Sequence, residues 1–224
     1  MHSHGHHAET TPDVGDDWSD GVKDYYRHVE DYDWVEVADN FRGLESFFHR
    51  NRRRVVDRLV QRHGAGAPIL DAGCGTGLNL ARLPAGSVGL EINPRSVALL
   101  RKRLPRHTIV EGDIESMPFG NESFATVVCT EVLEHVPSPE SALSEIHRVL
   151  RPGGVLIGSV PARSLIWKLR FLSSTCPGHE PFHNEYVPSE VRAMLRDFAV
   201  KRIWFSALHF NVMFIASKGP TDDR

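Results

Sequence analysis

The chain has 224 residues, enough for one sizeable domain with an appendage and too few for three. Its 41% hydrophobic, 25% charged and 8% aromatic residues match an ordinary folding chain, which excludes a fibre or a disordered tail protein. Lys plus Arg total 26 against 29 for Asp plus Glu, so a net charge of -3 offers no bulk positive field to a phosphate backbone and disfavours a dedicated duplex-DNA binder.

The first seven residues hold His2, His4, His6 and His7. No cysteine or carboxylate geometry accompanies them, so residues 1–17 read as a tag or disordered His-rich tail and not as a metal site. Residues 18–66 read as a helical cap. A weaker helix runs from Trp18 to Tyr32, and an amphipathic one follows with Leu44, Phe47, Phe48, Val55, Leu59 and Val60 at helical spacing. Its Arg50, Arg52, Arg53, Arg54 and Arg58 are expected on a solvated face.

After Gly64-Ala65-Gly66 the pattern turns to short apolar runs separated by helical segments, which predicts a parallel sheet in an α/β fold over residues 67–219. Strands are expected at Ile69 to Asp71, Val88 to Glu91, Thr108 to Glu111, Ala125 to Thr130 and Val155 to Val160. Helices are expected around Leu78 to Leu83, Pro94 to Leu104, Pro139 to Leu150 and Ser189 to Phe198, and two closing strands at Val200 to Phe205 and Phe210 to Ala216. The interruption at 161–187 reads as a lid. Cys74, Cys129 and Cys176 lie too far apart for a disulfide framework, no apolar stretch reaches the roughly 20 residues of a membrane span, and no signal pattern opens the chain. These features predict a soluble, cytoplasmic protein.

Ile69 to Gly77 is an apolar strand entering a glycine-rich turn, with Gly73, Gly75 and Gly77 at alternate positions where a ligand can approach backbone that a Cβ would shield. A dinucleotide turn wants its third glycine one residue later, where Leu78 stands, so the spacing argues against NAD or FAD. Glu91 closes the second strand, where a carboxylate can accept both hydroxyls of a ribose or remain an ordinary surface Glu. Asp113 closes the third, where an acid can accept from an exocyclic amine.

Asp71-Ala72-Gly73-Cys74-Gly75-Thr76-Gly77, Glu91, Gly112-Asp113-Ile114 and Arg148-Val149-Leu150-Arg151-Pro152-Gly153-Gly154 together resemble the class I S-adenosylmethionine-dependent methyltransferases, and more narrowly their type 11 small-molecule branch. The resemblance implies a doubly wound, Rossmann-like, seven-stranded, mostly parallel sheet with an antiparallel last strand. It further implies that the glycine loop holds the methionine part of S-adenosyl-L-methionine, with Asp71 reaching its amino group. Glu91, with Ile92 beside it, would bind the ribose, Asp113 and Ile114 would flank the adenine, and Thr130 would pass nearest the methionine.

Thr130-Glu131-Val132-Leu133 occupies the place of the Pro-Pro-aromatic turn found in base-amino methyltransferases of this fold, which disfavours that class. Cys129, inside an apolar strand, reads as a buried inert thiol. The expected reaction is methyl transfer to a small or lipophilic acceptor at O, N or C; an RNA or protein methyltransferase and a non-catalytic cofactor-binding regulator stand as alternatives. His135 and His183 are the candidate bases. Related proteins place an Arg where His183-Asn184-Glu185-Tyr186 has Glu185. The segment 163–172, with Leu165, Ile166, Trp167, Leu169, Phe171 and Leu172 among Arg163, Lys168 and Arg170, is expected to pack on the domain, roof the acceptor pocket or rest on a membrane surface.

Overall fold

In a computed structural model of the chain, residues 16–29, 33–40, 44–164, 184–206 and 209–219 are described. Three helices, α1 (Asp16–His28), α2 (Trp34–Asn40) and α3 (Leu44–His63), come first. Then follow β1 (Ile69–Ala72), β2 (Val88–Glu91), α4 (Pro94–Arg103), β3 (Thr108–Glu111), β4 (Phe124–Thr130), α5 (Pro139–Val149) and β5 (Leu150–Pro161). The described chain closes with α6 (Pro188–Met194), β6 (Ala199–Phe205) and β7 (Asn211–Ser217).

The strands form one sheet of order β3-β2-β1-β4-β5-β7-β6, in which β7 runs antiparallel to both its neighbours and every other pairing is parallel. This is the doubly wound arrangement with an antiparallel last strand expected from the sequence. Strands β1 and β4 are buried along their whole length, as the sheet's centre demands when helices cover both faces. The chain winds outward from β1 to β3 and returns to β4, so a topological switch point opens a crevice beyond the carboxyl ends of β1 and β4.

One face of the sheet packs Leu70, Leu90, Val127, Leu156 and Phe214 with Leu143, Ile146 and Val149 of α5. The other packs Ile69 and Val128 with Val56 of α3 and Val97 and Leu100 of α4. Each such side chain contributes about 1.5–3 kcal/mol on burial. Local signals agree with this packing. Asn93 caps α4 by accepting from the Arg95 and Ser96 amides, Ser138 caps α5 by accepting from the Ser141 amide, and a proline follows each cap.

Three elements differ from expectation. Helix α2 had no periodic signature; Asp33 starts it by accepting from the Val35 and Glu36 amides. The helix expected at Leu78 to Leu83 is only a 3₁₀ turn, Leu80–Arg82, because Pro84 holds Leu83 extended and the Asn79 side chain is drawn to Thr130. Strand β5 begins at Leu150 because Leu150 pairs with Phe124 ahead of the turn in which Gly153 takes φ +73°. Among the described residues no helix is long and apolar enough to cross a membrane.

Candidate functional site

The glycine turn is built against β2. The amides of Gly73 and Cys74 both donate to the Leu90 carbonyl, at 2.9 Å each, which folds the chain leaving β1 over its neighbour. Gly73 has φ +72°, and a Cβ there would stand 2.5 Å from Val132, so both conformation and space require glycine. Gly75 takes φ +52°, and its amide donates to Glu91 Oε2 at 2.8 Å. At Gly77, φ +92°, an added Cβ would meet Leu100 of α4 at 2.6 Å, so helix packing already accounts for the third glycine.

Asp71 lies beneath this turn at 2% exposure, and its carboxyl is pushed up to about 7 by burial, with the Glu91 charge adding and the Leu80 amide and Arg52 opposing. Among the described residues its Oδ2 has no hydrogen-bond partner, and neither has Asn79 Oδ1. The Asn79 amide nitrogen donates to Thr130 Oγ1 at 2.8 Å, tying the turn to the buried end of β4. Glu91 accepts from the Asn93 amide through Oε1 at 2.9 Å, so both carboxylate oxygens are aligned by backbone. Ile92, half-buried, follows directly.

Asp113 accepts from the Glu115 amide at 2.9 Å through Oδ1 and pairs with Lys23 Nζ at 2.8 Å through Oδ2; Ile114 beside it is buried. Lys23 also pairs with Glu115 at 2.5 Å. Burial opposes the Lys23 ammonium, but its bonds to the two carboxylates outweigh this and raise its pKa.

Lys23 belongs to α1, and the helix makes further contacts across the same edge. Asn93 Nδ2 donates to the carbonyls of Tyr26 and Val29 at 3.3 and 3.0 Å, and the Tyr26 hydroxyl lies 2.9 Å from His135 Nδ1. His135 Nε2 in turn lies 3.7 Å from Oε1 of Glu134, which is buried at 1% exposure. Just beyond α1, Asp33 pairs with Arg103 of α4 at 2.5 Å, and the guanidinium holds the Asp33 carboxyl below its usual range.

The edge thus gathers Asp71, the glycine turn, Glu91, Asp113, Thr130 and His135. His183 and the segment 165–172 lie outside the described residues, as does the His-rich stretch 1–15. The chain returns at Asn184, whose amide donates to the Glu134 carbonyl at 3.3 Å, and Tyr186, bonded to Pro161, has its phenol pushed up to about 12 by burial and the Glu134 charge. Cys129 is fully buried, and burial raises its thiol pKa well above the ordinary value. Sequence reasoning missed Lys23, Tyr26 and Asn79, which carry no motif, and Asn93, which the Asn-Pro pair signals as a helix cap. It also placed all the arginines of α3 in solvent. Arg54 and Arg58 are exposed, but Arg50 donates to the Ala38 carbonyl and Arg52 pairs at 3.4 Å with Glu131, which accepts from the Ser159 hydroxyl at 2.7 Å.

A family model described as a methyltransferase domain matches residues 70–158. The ubiquinone biosynthesis O-methyltransferase of Aliivibrio fischeri is 30% identical over 197 residues, which cover 80% of this chain and 82% of that protein. A protein of Mycolicibacterium smegmatis named as a probable S-adenosylmethionine-dependent methyltransferase is 37% identical over 122 residues, 53% of this chain; the chain spans about half of that relative's length, 47%. Among solved structures, magnesium protoporphyrin IX methyltransferase of Synechocystis with bound S-adenosylhomocysteine superposes with a TM-score of 0.68, covering 89% of this chain and 99% of that one. At 17% identity this shared shape speaks for the fold alone.

Proposed function

Because the chain belongs to the class I S-adenosylmethionine-dependent methyltransferases, we propose that it transfers a methyl group to a hydroxyl oxygen of a small lipophilic acceptor. The cofactor when bound supplies an electrophilic methyl on a sulfonium. Asp71 Oδ2 and Asn79 Oδ1, two buried acceptor atoms left unfilled at the glycine turn, suit the ammonium of a methionine moiety, and this observation carries the cofactor assignment. Gly73 and Gly75 let that moiety lie against the backbone. Glu91, aligned by two amides, would accept from the ribose hydroxyls, Ile92 and Ile114 bracket the adenine, and Asp113 accepts from its amine. Thr130 lies under the methionine, while Gly77 serves chiefly to bring α4 close. Methyl transfer is an in-line displacement driven by positioning, and a hydroxyl acceptor must also lose a proton, for which His135 and His183 are the candidates.

The preference for oxygen and for a greasy ring follows the name of a relative of which this chain covers 82%, a ubiquinone biosynthesis O-methyltransferase. Incubation with methyl-labelled S-adenosylmethionine and a prenylated catechol tests the reading. A labelled methoxy product is expected. Cofactor binding with label on no tested phenol or amine would instead mark a non-catalytic binder, and label on added RNA or protein would move the acceptor class.

A further inference from the structure

We infer that Asn211, at the start of β7, binds the methyl acceptor, its side-chain amide donating to a neutral oxygen of that molecule; this rests on the methyl-transfer reading above. Strand β7 runs antiparallel to β5, so its first residue lies at the carboxyl edge of the sheet, where Asn211 pairs with Pro161, the last residue of β5. Side chains alternate along β7. Val212 and Phe214 join the core shared with α5, while Met213 clusters with Val56 of α3 and Ile215 packs with Leu59 and Val60. Asn211 therefore shares the α3 side of the sheet with Asp71, Thr130 and Ser159, which makes a row of buried polar residues along the ends of β1, β4, β5 and β7.

The other three members of the row have a partner or a role. Asp71 awaits the methionine ammonium, Thr130 accepts from Asn79, and Ser159 donates to Glu131. Asn211 is 1% exposed, and among the described residues its Nδ2 has no hydrogen-bond partner. An asparagine beside a turn commonly bonds the backbone with its side chain. Here the Asn211 amide donates to Ser206 Oγ at 3.0 Å and its carbonyl accepts from the Ser206 amide at 2.8 Å, so Ser206 and the main chain close the turn instead. A buried donor without a partner weakens a fold unless a ligand fills it. Neighbouring strands lie about 4.8 Å apart, which puts Asn211 about 10 Å across the sheet from β4, on the side away from β1 and the glycine turn. A substituted aromatic ring whose reacting oxygen lies over β4 covers that span, and the Asn211 amide meets an oxygen on its far side. The amide carries no charge to offset a buried anion, so it favours a carbonyl, ether or hydroxyl oxygen over a carboxylate or phosphate.

Two variants with two readouts test the inference. Asn211→Leu removes the unpaired donor at nearly constant shape, so Tm of the acceptor-free protein should rise by roughly 3–6 °C. Asn211→Asp is isosteric but buries a carboxylate, and its Tm should fall. With methyl-labelled S-adenosylmethionine and prenylated catechol, both variants should raise KM for the catechol roughly tenfold, while Kd for S-adenosylhomocysteine stays within about twofold of the wild type. A side chain that only supported the fold would make KM follow stability, so opposite shifts in Tm with the same loss of acceptor binding separate the two roles. A lower Tm in Asn211→Leu, an unchanged KM for the catechol in that variant, or an equal loss of S-adenosylhomocysteine binding would each overturn the role of Asn211. Failure of the wild type to methylate prenylated catechol would strike the acceptor class, since the Tm arm needs no acceptor.

Discussion

Asp71 shows how burial of a single carboxylate sets a pH dependence into the fold. Its ordinary value is 3.8 and the fold holds it at about 7, chiefly because burial penalises the charge. The folded state therefore binds the proton more tightly than the unfolded one. The associated stability is full below about pH 3.8 and is lost as pH rises through about 7. Asp71→Asn should accordingly flatten the decline in Tm of the cofactor-free protein between pH 5 and 8 and raise Tm at pH 8 by roughly 3–6 °C. The same change should weaken S-adenosylmethionine binding, since Asn presents no charge to an ammonium. Thermal melts across pH with parallel calorimetry check both, and a variant no more stable than wild type at pH 8 would show that Asp71 is not strained by burial. Asp71, Glu91 and Asp113 were legible because an acid ending an apolar strand is conspicuous. Asn79 was not, since a polar residue between two leucines looks like the outer face of a helix until Thr130, 51 residues on, engages it.

At the scale of elements, α1 is held over the strand ends mainly by polar contacts. Its weak apolar pattern gives it little core to bury, and Val22 is its buried hydrophobic residue. What holds it instead is polar: Lys23 on Asp113 and Glu115, and the Tyr26 and Val29 carbonyls on Asn93. Lys23→Met keeps the aliphatic stem and removes both ion pairs, leaving two carboxylates facing each other. Global stability should fall by only about 1 kcal/mol, as expected for partly exposed pairs. The local effect should be larger, with amide hydrogen exchange of residues 16–29 accelerating severalfold relative to the sheet. Uniform exchange across the molecule in that variant would mean that α1 is docked by other contacts. Helix α3 teaches the same lesson. Its run of arginines suggested a solvated face, but the length of an Arg side chain lets Arg50 and Arg52 reach inward past the apolar stripe, which periodicity does not resolve.

At the scale of the whole molecule, cofactor choice should appear as a stability difference. S-adenosylmethionine at a hundred times its Kd is expected to add about 2.7 kcal/mol and raise Tm by roughly 5–10 °C. NAD should leave Tm unchanged, because the third glycine stands at Gly77 and serves α4. A shift with NAD and none with S-adenosylmethionine would contradict the assignment. The fold class, the sheet's parallel body and the strand ends that carry acids were readable along the chain, because each depends on short-range patterning: apolar runs of strand length, glycines where φ is positive, caps before prolines. The docking of α1 on three strand ends, the inward arginines and the pairing of Tyr26 with His135, 109 residues apart, were not. Those contacts join surfaces that come together after the sheet has formed, and no local pattern records which polar side chain will find which partner across it.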